Sequence, residues 1–191
     1  LIAIARTTTS PVLYPLRLVA TIYTDLFRGL PLLLVLLLVG LGIPGLRISW
    51  IPNSAVVLGT VALVLTYSAY VAEVIRAGIE GVNPTQRQAA RALGLSQSQT
   101  LEHVVLPQAF RNVTPPLLND LVSLQKDSGL ISVLGAVDAI RAAGIQTAQS
   151  FNFTPYLVAG ALFVLLTIPL TRFTDWLTRR QDARQRAQGQ W

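Results

Sequence analysis

The sequence predicts an all-α protein that crosses a membrane several times. Its 191 residues are 52% hydrophobic and only 13% charged, whereas a soluble domain carries about 25% charged residues to cover its surface. Stretches of 18 residues between Arg28 and Arg47, 25 between Arg47 and Glu73, and 30 between Arg141 and Arg172 contain no Lys, Arg, Asp, Glu or His. Because about 20 apolar helical residues cross the hydrocarbon core of a bilayer, these stretches favour transmembrane helices and argue against a soluble enzyme.

Three complete spans are predicted, at about 26–45, 55–77 and 156–176. A fourth segment, about 113–135, begins with the pair Pro115–Pro116 and contains charged residues. Polar and helix-breaking residues are tolerated at membrane depth where they face protein or a water-filled cavity. We therefore expect a broken helix that lines the bundle; the alternative is that this segment does not cross the membrane.

The arginines predict the orientation of the spans. They collect before the first span, after the second and after the last, and cytoplasmic loops carry such an excess of basic residues. We therefore expect four crossings after Arg28, a cytoplasmic C-terminus, and a basic tail at 179–191 that is solvated near anionic lipid. The net charge of +6 indicates a membrane surface before it indicates nucleic acid. Leu1–Ala5 looks like the cytoplasmic end of an earlier helix, so we expect at least one N-terminal helix to be missing from this chain.

The cytoplasmic loop at 79–112 is expected to hold two short helices. Asn83 can cap the first helix, with Pro84 at its first position and Gln86 placed to complete a capping box. Gly94 can adopt the left-handed conformation that ends a helix.

The second helix of this loop has its own start and stop signals. Ser96 and Gln99 have the spacing of a second capping box, and Pro107 is expected to end or kink this helix. The two helices predict a rigid helix–turn–helix at the inner face of the membrane.

This loop resembles the EAA loop of ABC importer permeases. The family pattern is E-A-A, three residues, Gly, nine residues, then I-x-L-P. In this sequence the pattern falls on Gln88, Ala89, Ala90, Gly94, Val104, Leu106 and Pro107. The flanking segments AYVAEVIRAGIEGV, LPQAFR and LQKDSGLISVLG are similar to the branch that imports polar amino acids. Gln88 stands where the family usually has Glu, which removes a charge that could pair with a basic residue on the partner.

The resemblance implies a permease domain at 1–178 with the fold of type I ABC importers. It implies that residues 83–107 carry coupling helices that dock on a cytoplasmic ABC ATPase. It also implies a second permease subunit, identical or different, an extracytoplasmic substrate-binding protein, and a bacterial cell membrane. The sequence contains no G-x-x-x-x-G-K-[ST] phosphate loop, so ATP is expected to be bound by the partner and no cofactor by this chain.

A set of polar residues is expected to lie along the substrate path: Tyr70, Glu73, Gln125, Lys126, Asp127 and Ser128. Polar groups in the middle of a bundle can recognise the ammonium and carboxylate of an amino acid. The alternatives are an ion pair of Glu73 with Arg76 at the membrane interface, and a Lys126–Asp127 cluster at the outer or inner interface. No nucleophile–base pair and no cluster of metal ligands occurs in the sequence, so we expect neither catalysis nor a metal site in this chain.

Two other functions compete with a permease. A membrane scaffold could dock an ATPase without forming a pathway, and a secondary transporter could be driven by ions. The ion-driven transporter predicts ionisable residues deep in the spans, and the three complete spans have almost none away from their ends. The scaffold has no use for polar groups in a broken helix, so the sequence favours transport.

Overall fold

The computed structural model describes residues 1–7, 11–47 and 51–187, so the last four residues of the predicted tail lie outside the described part. The described residues contain helices and turns, and no strand occurs among them. In chain order the helices are α1 (Ile2–Thr7), α2 (Tyr14–Gly29), α3 (Leu32–Leu37), α4 (Ala55–Glu80), α5 (Pro84–Ala92), α6 (Gln97–Thr100), α7 (Leu106–Asp127), α8 (Ala139–Ser150) and α9 (Thr154–Ala187).

Several of these helices continue into other helical geometries. A π-helical stretch, Leu38–Gly42, joins α3 to a last turn at Ile43–Gly45. Another π-helical stretch, Leu101–Val105, joins α6 to α7, and a 3₁₀ helix, Ser128–Leu134, continues α7. The run from Gln97 to Leu134 is therefore helical throughout.

Two helices, at Ala55–Glu80 and Thr154–Gln181, are long and apolar enough to cross a membrane. Two further pairs satisfy the same test when each pair is taken together: Pro11–Gly29 with Leu32–Gly45, and Gln97–Leu134 with Ala139–Ser150. The members of the second pair are bent by 47°. By length and composition, the described residues thus offer between two and four crossings.

The helix bounds differ from the sequence prediction at the start of the 26–45 segment. That segment is not one helix, because α2 ends at Gly29 and α3 begins at Leu32. Pro31 caps α3 in an extended conformation, with ψ 134°. Proline disfavours a helical conformation in the residue before it, which explains why the helix breaks at this point.

Of the two outcomes expected at Pro107, an end or a kink of the helix, the structure excludes the end. The helical run does not end at Pro107, and α7 passes through Pro115 and Pro116. Each proline removes one N–H donor from the helix, but the neighbouring turns are retained. The irregularity lies instead before Pro107, in the π-helical stretch, and after Asp127, in the 3₁₀ helix.

The chain divides into two compact units. The first comprises Leu1–Asp25, Ala69–Asp120 and Thr174–Trp191, and the second comprises Leu26–Ser68 and Leu121–Phe173. The core of the second unit is formed by Val35, Leu36 and Ala62, against which Leu130 and Ile131 pack. The core of the first unit is a second cluster, formed by Val82, Val105 and Ala109.

Candidate functional site: the coupling loop and the polar residues of the bundle

The first loop helix, α5, has well-defined ends. Asn83 caps it, with its Oδ1 accepting a hydrogen bond from the backbone N–H of Thr85 at 3.0 Å, and Pro84 occupies the first position. The expected capping box with Gln86 is not the geometry observed, because the N–H of Gln86 donates to the backbone carbonyl of Asn83. At the other end, Gly94 has a φ of +87°. This is the left-handed conformation predicted for it, which residues with a side chain rarely adopt.

The second loop helix, α6, begins with the predicted capping box. The Oγ of Ser96 accepts from the N–H of Gln99 at 3.2 Å, and the Oε1 of Gln99 accepts from the N–H of Ser96 at 2.8 Å. The starts of α5 and α6 are therefore both held by local hydrogen bonds. Such bonds satisfy backbone donors that a helix start otherwise leaves free.

The residues that match the EAA pattern differ in how far the protein buries them. Ala90 is buried, Val104 and Leu106 are half-buried, and Gln88, Ala89, Gly94 and Pro107 are exposed. Two large apolar side chains are exposed beside them, Leu93 with 82% of its surface and Leu101 with 47%. Leu93 and Leu101 therefore give the exposed side of the loop an apolar character.

A small hydrophobic core joins the loop to the long helices on either side. Val82, Val105 and Ala109 are buried together, and Ile79 packs against them. Ile79 lies in the last turn of α4 and Val82 just after it, whereas Val105 belongs to the π-helical stretch and Ala109 to the start of α7. One cluster therefore joins the loop to both long helices.

Two close contacts reinforce this junction. The Nη2 of Arg87 donates to the backbone carbonyl of Ile79 at 2.6 Å, which ties α5 to the last turn of α4. A Cβ atom on Gly78 would come within 2.1 Å of the Cγ1 of Val113 and 3.3 Å of the carbonyl of Ala109. The absence of a side chain at Gly78 therefore allows α4 and α7 to approach this closely.

The loop also has a groove of about 310 Å³ between its helices. It is lined by Arg87, Arg91, Gln97, Thr100, Leu101 and Val105. One guanidinium of the groove is used within the loop, because the Nη1 of Arg91 donates to the carbonyl of Leu95 at 2.9 Å. The lining residues include no carboxylate, so the groove is positively charged.

An ion-pair network lies near the end of α4. Glu73 binds Arg76 on the same helix, and its Oε2 also accepts from the Nη1 of Arg6 at 2.5 Å. Arg76 additionally binds Glu80. The sequence prediction paired Glu73 with Arg76 but missed Arg6, which is 67 residues away in sequence and carries no local signal of the contact. Tyr70 lies one turn before Glu73 and is partly exposed.

The polar residues at the end of α7 form hydrogen bonds within the second unit. The hydroxyl of Tyr67 donates to Asp127 Oδ2 at 2.8 Å, and the Oγ1 of Thr167 donates to Gln125 Oε1 at 2.9 Å. Ser128 donates to the backbone carbonyl of Gln125, and the side chain of Lys126 is exposed. Asp127 and Gln125 are thus connected to α4 and α9, respectively.

The predicted path residues belong to two different units. Tyr70 and Glu73 lie in the first unit, and Gln125–Ser128 lie in the second. The sequence prediction did not include Tyr67 or Thr167, although both are polar residues within apolar stretches. Tyr67 lies in the uncharged stretch between Arg47 and Glu73, and Thr167 in the one between Arg141 and Arg172. A hydroxyl group within such a stretch needs a hydrogen-bond partner at membrane depth, and this could have identified both residues.

Comparison with known proteins places these features in a family. The family described as "Binding-protein-dependent transport system inner membrane component" matches residues 13–185. The arginine transport system permease protein ArtQ of Bacillus subtilis (strain 168) is 38% identical over 154 residues, which are 80% of this chain and 69% of ArtQ. The probable glutamine ABC transporter permease protein GlnM of the same organism is 36% identical over 171 residues, which are 88% of this chain and 77% of GlnM.

Solved structures agree with these relatives. A chain from the crystal structure of an amino acid ABC transporter with histidines has a TM-score of 0.85 and 36% identity, over 94% of this chain and 81% of that chain. A chain of the MetNI methionine ABC transporter, in inward facing conformations, has a TM-score of 0.74 and 17% identity over 94% of this chain and 84% of its own length, which supports the fold alone. The family match across most of the chain and the capped loop lead to the same conclusion: this protein belongs to the binding-protein-dependent transport system inner membrane components and is a permease subunit of an ABC transporter.

Proposed function

We propose that this chain forms the translocation path of an ATP-driven importer for polar amino acids. The proposal rests mainly on the construction of the loop. Residues 83–107 are capped at the start of each helix, turn at Gly94, and are connected to α4 and α7 through the Ile79–Arg87 bond and the Val82 cluster. A loop that transmits force needs this stiffness, and a scaffold that only binds an ATPase does not.

The partner that drives this movement is an ABC ATPase. The exposed face of the loop, with Leu93 at its turn, offers an apolar contact for it, and the positively charged groove beside Arg91 offers a polar one. ATP is bound and hydrolysed by that partner. A second permease subunit and an extracytoplasmic substrate-binding protein complete the transporter, and the C-terminus of this chain lies in the cytoplasm.

Polar amino acids are the proposed substrates. The relatives ArtQ and GlnM are named for arginine and glutamine transport, and both substrates carry an ammonium and a carboxylate besides a polar side chain. Gln125 and Asp127 supply an amide and a carboxylate that neighbouring helices hold in place. Lys126 and Ser128 are exposed beside them. We assign these four residues to the substrate path, and Tyr70 and Glu73 to the cytoplasmic end of α4.

The test combines ATPase co-purification with amino acid uptake. The subunit, restored to full length and expressed with its transporter partners, is compared as the parent, Gly94→Val and Gly94→Asn. Valine strains the left-handed backbone at this position, whereas asparagine adopts it more readily. No atom lies within 4 Å of a Cβ at Gly94, so the variants differ in backbone strain and not in crowding.

We expect the ATPase to co-purify with the parent and the Gly94→Asn variant and to be lost, at least in large part, from Gly94→Val. Uptake of radiolabelled glutamine, arginine and histidine should follow the same order. ATPase binding without uptake of any amino acid would favour the scaffold. Uptake that continues without a bound ATPase would favour the ion-driven transporter.

A further inference from the structure

The end of α9 has two different faces. From Thr174 to Ala183, the exposed side chains are Asp175, Trp176, Arg179, Arg180 and Ala183, and the buried or half-buried ones are Thr174, Leu177, Thr178 and Gln181. At 100° per residue, the exposed group covers one side of the helix and the covered group the other. This helix end therefore packs against the protein with one face and presents a face containing two arginines outward.

An aromatic ring accompanies these arginines. The guanidinium carbon of Arg180 lies 5.2 Å from the centre of the Trp176 ring, which is within the range of a cation–π contact. Trp176 is 52% exposed. Tryptophan is enriched where a membrane helix meets the headgroup region, because its ring is apolar and its N–H is polar.

The length of α9 places these residues at the right depth. Only 11% of the apolar window in Thr154–Gln181 is buried within the protein, so the helix offers most of its surface to its surroundings. Along the sequence, Trp176 follows Thr154 by 22 residues and Arg179 follows it by 25. Because about 20 helical residues cross the hydrocarbon core of a bilayer, we infer that Trp176 lies at the boundary of the core and Arg179 in the headgroup region.

We propose that Trp176, Arg179 and Arg180 form a binding site for the headgroups of anionic phospholipids in the cytoplasmic leaflet. The two guanidinium groups supply paired donors for phosphate oxygens, and Trp176 fixes the depth of the helix. Asp175 lies at the edge of the same face and weakens the site through its charge. The site rests on the proposed orientation of the chain, but its test requires neither ATP nor transport.

Quenching of tryptophan fluorescence by brominated lipids measures this contact directly. The full-length subunit, assembled with its partners, is reconstituted in mixed vesicles of phosphatidylcholine and phosphatidylglycerol. In one sample only the phosphatidylcholine is dibrominated, and in the other only the phosphatidylglycerol. The signal of Trp176 is the difference between the parent and a Trp176→Phe variant, which removes the contribution of all other tryptophans. We define the preference as the quenching of Trp176 by phosphatidylglycerol divided by its quenching by phosphatidylcholine. A change in the exposure of the ring alters both values equally and cancels in this ratio.

We expect phosphatidylglycerol to be preferred by about fivefold or more at low salt, since one basic residue near an anionic surface contributes roughly that factor. The Arg179→Gln/Arg180→Gln variant should reduce the preference to about one, and salt should reduce it in the parent. Asp175→Asn should increase it. The Arg47→Gln/Arg141→Gln variant removes the same charge from two other exposed positions and should leave the preference unchanged.

Several results would overturn the proposal. A parent without preference for phosphatidylglycerol, or an unchanged preference in the double variant at Arg179 and Arg180, excludes a headgroup site. If neither lipid quenches Trp176, a protein covers this face, and the ATPase surface is the first alternative. If the parent transporter prefers phosphatidylglycerol but imports none of the amino acids tested, the proposed transport function is contradicted and the lipid site remains.

Discussion

Gly78 is the residue at which the packing of the loop junction depends on a missing side chain. An alanine Cβ at this position would lie 2.1 Å from the Cγ1 of Val113, which is itself buried. Overpacking of this kind destabilises a core by about 1–3 kcal/mol. We expect Gly78→Ala to lower the thermal midpoint of the detergent-solubilised transporter, measured by the fraction that remains monodisperse after heating.

The control variants separate crowding from a general effect of alanine. Gly78→Ala/Val113→Ala removes the methyl groups that crowd the new Cβ, and we expect it to be more stable than Gly78→Ala. Gly29→Ala places a Cβ where no atom lies within 4 Å and should have little effect. A Gly78→Ala protein that withstands heating as well as the parent would show that α4 and α7 are not in such close contact.

Gly78 in the junction and Gly94 at the turn of the loop differ in how far the sequence predicted them. Gly94 follows an amphipathic helix and precedes a capping box, and these local signals indicated its positive φ. Gly78 lies within an unbroken helix, and its role depends on Val113, a residue 35 positions later. A contact across such a distance leaves no local pattern, which is why the structure was needed to identify it.

At the scale of elements, Arg87 connects the loop to the membrane helix before it. Its guanidinium donates to the carbonyl of Ile79 in the last turn of α4, where helix carbonyls lack partners and a positive charge is favourable. In Arg87→Met, the side chain can still cover the apolar junction but loses the hydrogen bond. We expect the ATPase to co-purify as in the parent, while the amount of amino acid imported per ATP hydrolysed falls severalfold.

Two further variants test this explanation. Arg87→Lys retains a cation and a donor, so it should give an intermediate ratio of import to hydrolysis. Arg91→Met is the matched control for the charge of the groove, because Arg91 also lines it but donates to Leu95 within the loop. Both variants lose one groove charge, and only Arg87→Met should lower the ratio of import to hydrolysis. If Arg87→Met imports as much per ATP as the parent, the Ile79–Arg87 bond does not take part in coupling.

Helix ends were more predictable than helix continuations. The caps at Asn83 and Ser96 were predicted because their hydrogen bonds join residues two or three positions apart. The passage of α7 through Pro115 and Pro116 was not predicted, because local propensity favours a break there. The surrounding packing, with Ala109 and Val113 buried in the same helix, overrides that preference. The prolines still mark the segment, but they do not end it.

At the scale of the whole molecule, the distribution of polar and apolar surface carries the proposed function. Many large apolar side chains of α9 are exposed, including Leu157 with 74% and Leu165 with 68% of their surface. A soluble protein rarely exposes so much apolar surface in one continuous helix. In contrast, two pairs of polar groups are hydrogen-bonded within the second unit, Tyr67 with Asp127 and Thr167 with Gln125. Polar groups at membrane depth need such partners, and a path for polar molecules needs polar groups at that depth.

The orientation of the chain can be tested because its sequence contains no cysteine. Single cysteines are introduced at three exposed positions in the full-length subunit: Ser98 in α6, Ser150 at the end of α8, and Ala183 in α9. We expect a membrane-impermeant maleimide to label the Ser150→Cys protein in intact protoplasts. The Ser98→Cys and Ala183→Cys proteins should be labelled only after the membrane is opened, because arginine-rich segments remain in the cytoplasm.

The pattern of labelling decides how many times the second half of the chain crosses the membrane. Ala161→Cys, in the apolar part of α9, is the control that should resist labelling in both conditions. If positions 98 and 150 are labelled from the same side, the bent run from Gln97 to Ser150 does not cross, and Gln125–Ser128 lose their place on the path. If positions 150 and 183 are labelled from the same side, α9 does not cross and its arginines cannot reach the cytoplasmic leaflet. The expected alternation requires both crossings, since the broken run and α9 must each move the chain from one side to the other.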